Sequence, residues 1–262
     1  MSRCCVNQLP VVSTAHTLSY EKGIVDLWYY FHEGIDDELL AAHEALLTPD
    51  ERERYRRFHL ERDRRLFLAT RALVRTVLSR YSAVAPADWR FVPGEHGKPR
   101  VSTPVVTPTI HFSLANTPGL VVCVVSVAHE DLGVDAERLD REVEAVELAE
   151  RYFSASEGSK VRALPPSEQS MQFFAYWMLK ESYLKARGLG LTLPTDQFSF
   201  LIDDEISVAF DTRLGDDATA WRFALLDAPP HHMIAISVKT GGAMLSLRAT
   251  RMVPLGGKTD TD

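Results

Sequence analysis

Apolar and polar positions change period several times along this chain. Ile24 to Glu33 (IVDLWYYFHE) is rich in β-branched and aromatic residues and predicts a strand. LTPDERERYRRF follows, with Thr48 as N-cap, Pro49 at the first helical position and Glu51 completing a capping box. Leu66, Leu73, Val74, Val77, Leu78 and Tyr81 then fall on one face of a helix expected over about Asp63 to Tyr81. Short strands and a turn come next: WRFVP, the turn GEHGKP, and TIHFSLA. The unbroken run LVVCVVSVAH predicts a buried strand, and LGVDAERL another.

The second half repeats that layout. FSASEGSKVRAL places Ser154 three residues before Glu157, again a capping-box spacing, and a long helix is expected over about Glu168 to Arg187. Strands follow in QFSFLI, ISVAF, WRFALLD, MIAISVK and MLSLRA. The expectation is an α+β fold, a pseudodimer of two similar halves. Residues 1–125 would form the first half and 126–250 the second, with 251–262, including the tail GGKTDTD, disordered.

Composition narrows the function classes. The chain has 262 residues, 45% hydrophobic and 25% charged, an ordinary globular balance. A net charge of −7 argues against a dedicated nucleic-acid binder. Cys4, Cys5 and Cys123 lack zinc-ligand spacing, which points to a reduced, cytoplasmic protein. No apolar run is long enough for a membrane span, and the N-terminus lacks a signal-peptide pattern.

Two places carry candidate chemistry. In GVDAE, Asp135 and Glu137 are two apart, so on a strand both carboxylates share a face. They are either a strand end emerging into water or part of a cation site. Magnesium favours such oxygen ligands together with substrate phosphates. In WMLKESYLKARGLGL, Trp177, Glu181 and Lys185 lie on one helical stripe. Glu181 and Lys185 are either an ordinary surface pair or a carboxylate and a cation aimed into a site. Large apolar neighbours such as Met178, Leu179, Tyr183 and Leu184 suggest a helix buried on a wide face, which leaves less room for a purely solvated pair and would make the Lys-Glu-Ser run, if the pair serves a site, the site-facing stripe of a mostly buried helix.

Further basic groups are spread upstream. Lys98 sits in a Gly-Lys-Pro turn and is either a solvated loop lysine or a phosphate contact. Most arginines of the run Arg52 to Arg65 read as a solvated helical face paired with Glu51, Glu53, Glu61 and Asp63. Arg71 and Arg75 are four apart, on the polar side of the long helix. Arginine forks suit phosphate oxygens.

GVDAERL followed by WMLKESYLKARGLGL resembles the signature pair of the large, surfactin-type class of 4′-phosphopantetheinyl transferases, roughly G-[VI]-D-x-E and W-x-x-K-E-[SA]-x-x-K. LTPDERERYRRF, RALVR, GKP and HFSLANTPG fall in the family's order upstream, and LTLPTDQFSF downstream. The resemblance implies a pseudodimer with the active site in a cleft between the halves. It also implies Mg-dependent transfer of 4′-phosphopantetheine from coenzyme A to a serine of an apo acyl or peptidyl carrier protein, with 3′,5′-ADP released. Asp135, Glu137 and Glu181 would hold Mg2+. Lys185 would neutralise a phosphate, and Glu181 or a metal-bound water would be the general base. Lys98 would contact coenzyme A phosphates, with Arg65 and Arg71 as candidates for the 3′-phosphate.

The chain departs from that pattern at one place. The family commonly has F-N-[IL]-S-H-[ST] where this sequence has FSLANT, so Ala115 and Asn116 replace a serine and a histidine. Asn116 can donate a hydrogen bond but cannot carry charge, and Thr117 keeps its hydroxyl. Two rivals remain: an inactive coenzyme A- or carrier-binding module of the same fold, which Ala115 and Asn116 would suit, and a magnesium-dependent phosphodiester hydrolase using the same three carboxylates. The chain is expected to act as a monomer.

Overall fold

The computed structural model describes residues 7–8, 23–94, 96–190 and 193–256. The chain divides into two compact units. One holds residues 10–130 with 246–262, and the other holds residues 1–9 with 131–245.

The first unit opens with strand β2 (Ile24–Phe31), preceded in the chain by the short β1 (Asn7–Gln8) of the other unit. Helices α1 (Asp37–Ala45), α2 (Pro49–Arg57) and α3 (Glu61–Leu78) follow. Next come the hairpin β3 (Arg90–Pro93) and β4 (Pro99–Thr103), then β5 (His111–Thr117) and β6 (Leu120–Ser126). Asp36 caps α1 by accepting from the Leu39 amide at 2.8 Å. The expected capping box of Thr48 and Glu51 opens α2, with Pro49 in its first turn. Every residue of β6 is buried, as its apolar run requires. The apolar face of α3 packs on β6 and β5, in a core that includes Trp28, Leu73, Val77, Trp89 and Phe112.

The second unit begins with β7 (Leu132–Arg138) and continues through α4 (Ala145–Tyr152), α5 (Ala155–Ala163) and α6 (Pro166–Arg187). The hairpin β8 (Phe198–Ile202) and β9 (Ile206–Phe210) precedes β10 (Trp221–Ala228) and β11 (His232–Lys239). Ser154 and Glu157 form the expected capping box at α5. Gly188, at φ 64°, takes the left-handed conformation that stops α6. The core gathers Phe174, Leu179, Tyr183, Phe198, Trp221 and Ala235.

Each unit therefore runs strand, three helices, hairpin, two strands. With β12 (Ser246–Arg251) as its edge strand, the first unit's sheet has the order β12-β2-β6-β5, and the second's order is β1-β10-β11-β7. In both, one edge pair is parallel and the other two pairs are antiparallel.

Four expectations change. MLSLRA, assigned to the second half, forms β12 (Ser246–Arg251), which pairs in parallel with β2 in the first unit. Asp26 on β2 accepts two hydrogen bonds from Arg248 on β12, at 2.6 and 3.1 Å, which fixes that register. Residues 251–256 are ordered, against the expected disorder from 251 on. Met252 is buried and donates its amide to Tyr29, and the Pro254 carbonyl lies 3.1 Å from His43 Nε2. Residues 257–262 lie outside the described residues. Helices α1 and α4 and strand β4 join the expected elements. Finally, Arg75 is not on a polar face but fully buried. It bonds Glu51 at 2.6 Å and the Trp89 carbonyl, so the capping glutamate of α2 also ties that helix to α3.

Candidate active site on the second unit

The site starts from a glycine. On β7, Gly133, Asp135 and Glu137 share a face by the two-residue period. A Cβ at Gly133 would lie 2.0 Å from the Ser182 carbonyl oxygen and 2.4 Å from the Ala186 nitrogen, both on α6. Only glycine lets the helix backbone lie against the strand there. Opposite Gly133 in the ladder is Ser237 on β11, whose hydroxyl is 2.6 Å from that of Ser182. The Ser182 hydroxyl also bonds the Leu179 carbonyl at 2.9 Å, so Ser237 is the donor of the pair. This contact fixes α6 on the sheet with the face carrying Asp135 and Glu137 beneath it.

Glu181 and Lys185 occupy that seam. Lys185 Nζ donates to Asp135 Oδ1 at 2.7 Å. Glu137 accepts from Arg141 at 3.1 Å, and the Arg141 guanidinium lies over the Phe174 ring, 5.0 Å from its centroid. The side chains of Asp135, Glu137 and Lys185 are 10%, 17% and 31% exposed, so solvent screens them only partly.

All three carboxylates are harder to ionise than usual. Burial raises the Asp135 carboxyl, against the pull of Lys185. Burial raises Glu137, and the Asp135 and Glu181 charges add to it while Arg141 and Lys185 oppose. Burial and then the Asp135 charge raise Glu181, with Lys185 opposing. The groups thus feel one another as like charges in a partly dry seam.

The other buried neighbours of Glu181 overturn one expectation. The Lys-Glu-Ser run is not a single stripe, because successive helical residues point about 100° apart. Lys180 and Ser182 are both buried, at 1% and 0% exposure, and only Glu181 of the three is partly exposed. The stripe with Trp177, Glu181 and Lys185 stands. Trp177 closes its N-terminal end among Tyr152, Phe153 and Phe173.

Donor chemistry and geometry bear on a metal in different ways. Asp135 Oδ2 is buried without a hydrogen-bond partner, and three mutually repelling carboxylates suit a hard cation. Yet among the described residues no group of three or more His, Cys, Asp or Glu side chains is arranged to hold a metal ion. In this conformation the compensating cation at Asp135 is the Lys185 ammonium.

The remaining candidates belong to the first unit. Lys98 lies at the turn between β3 and β4, half-buried, its carbonyl accepting from the Gly94 amide at 2.8 Å. Gly97, at φ 88°, makes that turn possible. Asn116 on β5 is exposed and donates from Nδ2 to Thr70 Oγ1 on α3 at 3.3 Å, while Ala115 and Thr117 are buried. Arg65 is paired with Glu61 at 3.1 Å. Arg71 lies 3.4 Å from Glu51 and over the Phe67 ring, only 19% exposed. Among the described residues no helix is long and apolar enough to cross a membrane.

Comparison with known proteins identifies the family. Residues 131–237 match the model of the 4′-phosphopantetheinyl transferase superfamily, and residues 34–128 match that of the 4′-phosphopantetheinyl transferase N-terminal region. A 4′-phosphopantetheinyl transferase of Bacillus subtilis is 30% identical over 216 residues, covering 79% of this chain and 92% of that one. The 4′-phosphopantetheinyl transferase Sfp of Bacillus subtilis strain 168 is 30% identical over 192 residues, covering 73% and 82%. The 4′-phosphopantetheinyl transferase HetI of a Nostoc species is 34% identical over 147 residues, covering 56% and 62%. With both halves matched in order and a relative covered over nearly its whole length, this chain belongs to the 4′-phosphopantetheinyl transferase family, in its Sfp class.

Proposed function

We infer that this protein transfers the 4′-phosphopantetheine group of coenzyme A to a serine hydroxyl of an apo acyl or peptidyl carrier protein, releasing 3′,5′-ADP. The observation that carries this reading is the seam of Asp135, Glu137, Glu181 and Lys185, three repelling carboxylates and one cation, in a chain of this family. Phosphoryl transfer needs positioning and charge neutralisation more than covalent help from the protein.

The roles follow from that requirement. Glu181, partly exposed and with its pKa raised, is suited to take the serine proton. The serine oxygen bonds the pantetheine-side phosphorus, the bond to the bridging pyrophosphate oxygen breaks, and the electron pair leaves with 3′,5′-ADP. Lys185 is then placed to neutralise a phosphate oxygen. Asp135, Glu137 and Glu181 are the residues that would hold Mg2+. When bound, that ion supplies charge neutralisation on the pyrophosphate. From the first unit, Lys98, Asn116 and Thr117 are proposed to contact coenzyme A phosphates, with Arg65 and Arg71 weaker candidates because each already faces a glutamate. The shared element order of the two units supports reading them as halves of a pseudodimer.

Intact mass spectrometry tests the reading. The protein is mixed with coenzyme A, magnesium and a panel of apo carrier proteins, with and without chelator. A carrier gaining one phosphopantetheinyl group, only with magnesium, is the expected result. Coenzyme A binding without transfer to any carrier would overturn it in favour of an inactive binding module.

A further inference from the structure

Lys180 sits inside the motif that carries Glu181 and Lys185, yet it faces away from them. Its side chain is 1% exposed, and the ammonium has three partners: Glu157 at 2.9 Å and the carbonyls of Thr195 and Phe198 at 2.7 and 2.6 Å. An ammonium has three protons, so every donor is satisfied. The Phe198 ring lies against it, 4.3 Å from Nζ to the centroid. Glu157 is equally buried. It caps α5 through Ser154 and accepts from the Phe200 amide at 2.9 Å. One ion pair therefore joins the start of α5, the middle of α6 and the first strand of the β8–β9 hairpin.

Helical geometry connects this pair to the site. Taking Lys180 as zero, Glu181 points about 100° round the helix, Lys185 about 140° and Ser182 about 200°. The two buried anchors, Lys180 on the hairpin side and Ser182 on Ser237 of the sheet, thus bracket the arc on which Glu181 and Lys185 stand. One anchor alone leaves the helix free to roll about it. Two, on opposite flanks, fix its rotation.

We propose that Lys180, through its buried pair with Glu157, is a positioning residue for the transfer reaction, setting the rotation of α6 that holds Glu181 and Lys185 over β7. This rests on the transferase reading above. The pair is a costly way merely to stabilise a core, because apolar residues of similar volume serve at least as well. A directional fork to three separate segments is what apolar packing cannot supply.

The test removes both charges together, since Lys180→Met alone would strand a buried carboxylate. Lys180→Met combined with Glu157→Gln keeps the packing volume and, through the one amide oxygen, the cap on α5 at the loss of the bond from the Phe200 amide. Glu157→Gln alone is the second variant. Both are measured for folding, for kcat and KM towards coenzyme A and carrier, and for hydrogen exchange along α6. In the folded double variant kcat should fall about a hundredfold, the scale of an ångström-sized misplacement. KM for the carrier should stay unchanged, and amides 181–186 should exchange faster while β7 and β11 do not. A folded double variant with wild-type kcat and exchange would overturn the proposal. So would failure of both variants to fold, which would make the pair a stability element only. If the wild-type protein transfers nothing to any carrier, the transferase reading fails by itself, and hydrogen exchange still decides whether Lys180 fixes the helix.

Discussion

Lys185 and Asp135 meet at 2.7 Å, the ammonium of α6 on the carboxylate of β7. Sequence reasoning assigned these two groups to different partners, one to a phosphate and one to a metal ion. In the structure each serves the other, so under the roles proposed above loading the site would exchange this bond for two new ones.

Exchange has a measurable consequence. Removing the ammonium frees Asp135, whose second oxygen is already without a partner. In the absence of coenzyme A, Lys185→Met should therefore bind Mg2+ more tightly than the wild type in calorimetry. The same variant should turn over at least about a hundredfold more slowly, the scale for losing one electrostatic stabiliser. Unchanged magnesium affinity would mean that Lys185 does not compete for the carboxylate.

The raised carboxylates set a pH dependence. A group whose folded pKa lies above its unfolded value binds more protons when folded, in the window between the two. Asp135, Glu137 and Glu181 all lie on that side. Their contribution to stability is thus fully present below about pH 4, the ordinary carboxylate range. It falls as pH rises through their raised values. Asp135→Asn removes one such group and the charge that lifts the other two. Urea midpoints measured from pH 4 to 8 should fall less steeply with pH in that variant than in the wild type. Parallel curves would contradict the assignment.

Gly133 makes the seam possible, and its loss should be costly. In Gly133→Ala the new methyl would overlap the Ser182 carbonyl, so α6 must lift off β7. Overpacking of this kind costs about 1–3 kcal/mol, occasionally more. A lower urea midpoint is expected, together with loss of transfer in the protein that remains folded, because Lys185 would move off Asp135. A stable and active variant would show that the helix does not need this contact.

Local signals made much of this fold legible. The capping boxes at Thr48 and Ser154 are each set by four neighbouring residues, and β6 is apolar from Leu120 to Val125, so all three are readable. The partner of β12 was not. Ser246–Arg251 pairs with a strand at the far end of the chain, through Arg248 and Asp26, and nothing local specifies that. The same distinction divides the site. Asp135 with Glu137, and Glu181 with Lys185, were found because spacing puts each pair on one face. Lys180 reads as site-facing and Arg75 as lying on a polar face, because a sequence does not reveal the buried partners, Glu157 and Glu51, that take each charge into the interior. Gly133 did carry a signal, a glycine inside a strand, which marks a close backbone approach.

Asn116 stands where the resemblance set out above leads one to expect a histidine, and its surroundings make that difference testable. The side chain is exposed on β5, and its amide donates to Thr70 Oγ1 at 3.3 Å, a long, neutral bond. An asparagine facing a coenzyme A phosphate offers a dipole whose strength does not change with pH. A histidine there would titrate near pH 6.5 and, once protonated, donate a charge-assisted bond. Wild-type affinity for coenzyme A should accordingly vary little between pH 7.5 and 6. Asn116→His should bind more tightly as pH falls across that range, by up to about tenfold, which corresponds to about 1.4 kcal/mol for the added charge. Calorimetry with coenzyme A and with 3′-dephospho-coenzyme A separates the possible contacts. A gain lost with the dephospho compound places residue 116 at the 3′-phosphate, and a gain retained places it at the pyrophosphate. An affinity that stays flat with pH in the variant would remove Asn116 from the coenzyme A site and leave its bond to Thr70 as a link between β5 and α3.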